Sequence, residues 1–158
     1  MRRSGKISAL LCAVLVSALP ASPSRAADVD AEILQSWHGD FPTAQLELLP
    51  GDQRDLPAGF IDDAASFGAV WQAVNPGQDV PEIDFESNIV LFARNTQFYN
   101  RLSIGKVTVS GGVAELLAME TMSALPIEDR AAISLVVVPR KGIEGLKSGD
   151  GVVRLPGF

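Results

Sequence analysis

The chain has 158 residues, with 13 Lys+Arg against 19 Asp+Glu and a single cysteine and histidine. That charge makes nucleic acid and anionic membrane surfaces poor partners, because their phosphates are repelled. The scarcity of cysteine and histidine excludes a disulfide scaffold and a zinc-finger-type site, and the length suits one hydrophobic core.

The first 26 residues read as a signal peptide. Arg2, Arg3 and Lys6 form a basic start, residues 7–19 are apolar but too short to span a bilayer, and "SRA" offers small residues at the cleavage positions. Cleavage is placed after Ala26, so residues 1–26 are a signal and residues 27–158 one exported domain, without a stable membrane anchor. Losing Arg2, Arg3, Lys6 and Arg25 takes the 13 basic residues to 9 against 19 acidic ones, a net charge of −10. Cys12 leaves with them. An exported chain without disulfides is held by its core alone and suits a bacterial periplasm.

Residues 28–37 read as a loose entry segment, and "WHGDFP" as ending in a turn. Residues 43–48 alternate polar and apolar and predict a strand with Ala44, Leu46 and Leu48 inward. Residues 60–75 predict a helix, capped by Asp62 or Asp63 and ended by Asn75-Pro76-Gly77. Phe67, Val70, Trp71 and Val74 recur along one face of it. Residues 89–93 and 132–138 are apolar without alternation, which predicts central strands buried on both faces with the helix on one side. Between them, residues 104–109 and 113–118 form a hairpin about Ser110-Gly111-Gly112, because paired glycines accept the positive φ of a tight turn. Residues 140–151 read as a charged loop and residues 152–155 as a short last strand.

The fold class expected is therefore α+β: a single domain with a mostly antiparallel sheet of about five to six strands and one main helix packed on a face. The expected core adds Leu46, Leu48, Val107, Val109 and Leu117 to the helix face and the two central strands.

The helix with "FGAVW", then "PEIDFESNIVLFA", a hairpin, and "ISLVVVPR" resembles the C-terminal domain of the protease-complex-inhibitor proteins exported by bacteria. The likeness covers residues 60–140 and rests on Trp71, Asp84-Phe85 and the valine-rich strand. It implies a secreted β-rich module that binds other proteins. Asn100-Arg101-Leu102 stands where that family shows a paired-glycine turn before an aromatic, so no site residue is carried over.

No Cys-X-X-Cys, His-Glu-X-X-His, G-X-S-X-G or phosphate-cradling glycine loop is present. Ser103-Ile104-Gly105-Lys106 matches S-x-x-K, but on a strand the two side chains do not share a helical face. The carboxylates of Asp62, Asp63, Asp84, Glu86, Glu120, Glu128 and Asp129 could supply an acid–base pair, although Asp62 or Asp63 suits a helix cap and Asp84 a turn. Met119 and Met122, with His38 as third ligand, could hold Cu(I) through soft sulfur, or fill gaps at the edge of a core.

"NTQFYNR" interrupts two strands where a two-residue turn would suffice. Arg94 and Arg101 bracket Phe98, Tyr99 and Asn100; Arg and Tyr dominate binding hot spots, and Tyr with Asn is typical of adaptable binding surfaces. The aromatics either meet a partner or fold back onto the core. In a meander this loop and "METMSALPIEDR" lie at one end of the sheet. The expected site is Arg94, Phe98, Tyr99, Asn100, Arg101, Met119, Met122 and Arg130, on a non-catalytic module that binds a protein partner and needs no cofactor. The second reading is a small Cu(I) handler or a carboxylate-based enzyme.

Overall fold

Two apolar runs without alternation need cover on both faces. The computed structural model, which describes residues 27–96, 101–121 and 129–157, shows how that cover is arranged. In chain order the elements are β1 (Val29–Ala31), β2 (Gln35–Pro42), a 3-10 helix (Thr43–Leu48), β3 (Ala58–Ile61), α1 (Ala64–Val74), β4 (Asn88–Asn95), β5 (Arg101–Ser110), β6 (Val113–Thr121), β7 (Arg130–Pro139), β8 (Gly145–Ser148) and β9 (Gly151–Arg154).

Strands β2-β7-β4-β3 form a central sheet and β1-β5-β6-β8-β9 an outer one. Every pairing is antiparallel except β6 with β8. Between the two sheets, Ile89, Leu91, Val136 and Val138 meet Leu102, Ile104, Val107 and Leu146. On the other face of the central sheet, Val90, Phe92, Leu135 and Val137 pack with Phe67, Val70 and Trp71 of α1. Successive residues of β4 and β7 thus enter different cores, as their lack of alternation requires. Each fully buried Leu, Ile or Phe contributes about 1.5–3 kcal/mol. Trp37 on β2 adds a T-shaped contact to Trp71, with ring centroids 5.1 Å apart.

The helix on one face and the mostly antiparallel pairing agree with expectation; the single sheet of five to six strands does not. The described residues form nine strands in two sheets. Periodicity reports how many faces of a strand are buried, and says nothing of which sheet the strand joins. β5 and β6 bury one face, and that face lies against the central sheet rather than beside it. The meander expectation fails for the same reason. β4 and β5 belong to different sheets, so their connection passes between layers, and no two-residue turn joins them.

Local corrections follow. Residues 35–42 are a strand, with Trp37 and Phe41 turned to α1 and His38 and Asp40 to the other side. Residues 43–48 are a 3-10 helix, in which positions three apart eclipse. Leu46 and Leu49 therefore pack while Leu48 is exposed. The helix begins at Ala64, because Phe60 and Ile61 belong to β3. Leu117 is 61% exposed, since Ala114, Leu116 and Ala118 take the inward positions of β6. Residues 145–148 form β8 instead of a loop, anchored by buried Leu146.

Polar side chains finish what the ladders leave open. Ser134, fully buried, donates to Trp37 O at 3.2 Å and accepts from Ile104 N at 3.1 Å, which pins the outer sheet to the central one. The buried Gln53 amide donates to Phe60 O and accepts from Phe60 N, at 3.2 and 2.7 Å. Ser148 Oγ does the same for Ala58 O and N, at 2.6 and 3.2 Å. Together they close the outward edge of β3. Gly59 lies between them, where a Cβ would overlap the Phe92 ring and Gln53 Oε1.

Asp63 caps α1 by accepting from Ser66 N at 2.8 Å. Its carboxyl is held below the ordinary value of 3.8, chiefly by the Ser66 side chain and then by the Ser66 N–H. A depressed carboxyl stabilises the fold above the unfolded value, and that contribution is lost as pH falls through the folded value. Asp63→Ala is expected to cost about 1 kcal/mol in urea unfolding at pH 7, with the wild-type advantage shrinking below pH 3.8. Equal loss at pH 7 and pH 2.5 would refute the cap's role. Gln53→Leu leaves the Phe60 N–H and C=O unpaired, and about 1–3 kcal/mol of destabilisation is expected from the same measurement.

Candidate functional site

Register brings the strand ends together. Arg101 pairs with Thr121 and Leu102 with Glu120, so β5 starts where β6 stops. In the central sheet Asn95 pairs with Ala132, so β4 stops where β7 starts. Asn95 Nδ2 donates to Glu120 Oε2 at 3.0 Å, and this contact joins the two sheets at that end.

The cations there are differently held. Arg94 is half-buried. Its backbone N–H donates to Pro57 O at 2.8 Å and its Nε to Leu56 O at 2.7 Å. Desolvation lowers its pKa and the nearby Asp55 opposes the shift, but a guanidinium stays charged regardless. Arg101 Nη2 lies 2.8 Å from His38 Nε2. A guanidinium carries donors alone, so Nε2 must accept and the ring proton sits on Nδ1. Arg130 reaches Asp40 at 3.5 Å in an exposed pair, worth at most about 1 kcal/mol.

Two adjoining clefts open beside this cluster. One of about 250 Å³ lies between β6 and the β3–β4 edge, lined among others by Ala58, Ala93, Leu102, Leu116 and Ala118. The other, about 360 Å³, is lined by Asp55, Asn95 and Thr96. Both share Pro57, Arg94 and Glu120. The pair presents the half-buried Arg94, the exposed Lys147–Glu115 ion pair, the exposed carboxylates of Asp55 and Glu120, and an apolar floor. It can orient a charged or hydrogen-bonding ligand.

Of the residues expected from the sequence, Arg94, Arg101, Met119 and Arg130 lie on the strands that converge here. Phe98, Tyr99, Asn100 and Met122 lie outside the described residues. Met119 is 63% exposed on the outer face of β6, across from Ser103. His38 lies on β2 in the central sheet, with its ring engaged by Arg101. Among the described residues no group of three or more His, Cys, Asp and Glu could hold a metal ion. Lys106 of the S-x-x-K match pairs with Asp30 at 2.9 Å, and a bulge at Gly105 separates it from Ser103. Asp84 shapes a turn by accepting from Glu86 N at 3.0 Å.

The contributions of Asp55, Leu56 and Pro57 were missed. They sit in a polar stretch more than 30 residues before Arg94 in sequence, and β3–β4 pairing alone brings them near. No family model matches the chain, and comparisons with curated proteins and with solved structures found no similar protein.

The Arg101–His38 contact has a spectroscopic consequence. In long-range ¹H–¹⁵N spectra of the neutral ring, His38 is expected as the Nδ1–H tautomer, and Arg101→Ala should shift it toward the more usual mixture. An unchanged tautomer in the variant would mean that the contact does not form in solution.

Proposed function

We propose that this protein is an exported, non-catalytic module, a periplasmic domain that binds another protein through the end carrying the 94–101 and 119–130 segments. The observation that carries this reading is the register. It sets Arg94, Arg101 and Arg130 at one end of a chain that is otherwise strongly acidic, beside two open clefts. Arginine is a residue type enriched in binding hot spots. The likeness to protease-complex-inhibitor C-terminal domains points the same way, and the N-terminal signal pattern supports export.

The test is crosslinking in the native host. A C-terminally tagged chain is exported beside a Phe98→Ser/Tyr99→Ser variant of equal thermal stability, and captured proteins are identified by mass spectrometry. One specific protein is expected with the wild type, at least tenfold depleted with the variant. Equal capture by both would place the interface elsewhere, and no capture would remove the reading.

A further inference from the structure

β8 pairs with β6 at Val113 and Ala114 alone. Past them it leaves for the central sheet, where Ser148 takes both polar groups of Ala58. The remainder of β6 therefore has β5 on one side and a cleft on the other. Residues of an antiparallel strand aim their N–H and C=O alternately to its two sides. The two-residue turn at Gly111-Gly112 makes Ser110 and Val113 the closing bonded pair. Counting along β6 from there, Glu115, Leu117 and Met119 face β5, while Leu116, Ala118 and Glu120 aim their backbone groups away from it. Among the described residues those outward groups make no hydrogen bond.

The two walls of the cleft differ. The β3 wall is closed, because Gln53 and Ser148 occupy the outward groups of Phe60 and Ala58. Among the described residues the β6 wall is open. Leu116, Ala118 and Glu120 line the cleft together with Arg94. Arg94 gives its Nε to Leu56 O, and its two terminal nitrogens make no hydrogen bond among the described residues, although the Asp55 carboxylate is near enough to interact with the charge. An unpaired strand edge offers alternating donors and acceptors that only another extended backbone can match, and the terminal N–H donors of Arg94 fit the two oxygens of a carboxylate that displaces Asp55 or Glu120 from its vicinity. The cleft of about 250 Å³ is narrow, bounded across from β6 by Pro57 and Ala58 and at one end by Lys147 and Gly149, dimensions closer to a single extended segment than to a folded sheet.

We propose that the free edge of β6 at Leu116, Ala118 and Glu120 is the docking site for an extended peptide segment of a partner protein, which adds as a strand and sets a carboxylate against Arg94. This rests on the binding-module reading and specifies how the partner is held: main-chain bonds give affinity, and the carboxylate fixes register. The carboxylate is either the peptide's C-terminus or an Asp or Glu side chain.

The probe is a random octapeptide library with free C-termini, selected against the purified exported protein, followed by synthesis of the best-enriched peptide. Its binding is expected to slow amide exchange at Leu116, Ala118 and Glu120 at least tenfold, with Leu117 and Met119 unchanged because β5 already holds them. Arg94→Gln is expected to weaken binding at least tenfold. Ala118→Pro, which removes an outward N–H and leaves the β5 ladder intact, should do the same. Amidating the peptide's C-terminus distinguishes the two carboxylate sources: loss of binding assigns the terminus, and retention assigns a side chain. Failure to enrich any peptide overturns the proposal, as does binding without protection at those three amides. Protection without peptide, in a protein of dimeric mass, would overturn it in favour of a second copy. The exchange result decides the matter even if Ala118→Pro does not fold. Continued capture of a partner that depends on Phe98 and Tyr99, with no peptide effect on β6, would sink strand addition and leave the broader reading standing.

Discussion

The pairing of β4 with β7 is the constraint from which the rest of the architecture follows. Eight consecutive register pairs, from Asn88 with Pro139 to Asn95 with Ala132, join two strands that are apolar on both faces. Neither face can meet water, so one layer must form on each side. α1 and the 3-10 helix supply one. The β5–β6 hairpin, with β1, β8 and β9, supplies the other. Once the central pair is buried in this way, connections out of it must cross between layers.

That crossing bears on function. The chain leaves the central sheet after β4, runs through β5 and β6 in the outer sheet, and returns at β7. Both crossings occur at one end, and they draw Arg94, Arg101 and Arg130 to it. The strands that flank "NTQFYNR" and "METMSALPIEDR" lie in different sheets, so neither pair is joined by a tight hairpin turn.

The same geometry produces an asymmetry between strand edges. β8 is shared: its start extends the outer sheet and its end caps β3 through Ser148. A strand divided in this way cannot also pair along the whole of β6. The β3 edge of the central sheet is closed, with Gln53 completing it, and among the described residues the outer sheet keeps β6 open past Ala114. Exposed edges are commonly blunted by bulges or charge. The bulge of this sheet lies on β5 at Gly105, away from the open side of β6.

By itself the sequence determined what short-range physics controls. Asp63 caps the helix because its carboxylate reaches a free N–H three residues on. Gly111-Gly112 makes the hairpin because both adopt positive φ. The two apolar runs are central because nothing in them tolerates water, save Ser134, which finds its partners in Trp37 and Ile104. Arg94, Arg101, Met119 and Arg130 were legible as site candidates because they flank interruptions of strand pattern. Tertiary structure decided the rest. It assigned the hairpin to a second sheet, turned residues 43–48 into a 3-10 helix, exposed Leu117, and brought Asp55, Leu56 and Pro57 to Arg94. Those outcomes depend on which strand lies beside which, a matter of long-range pairing that the periodicity of one strand does not encode.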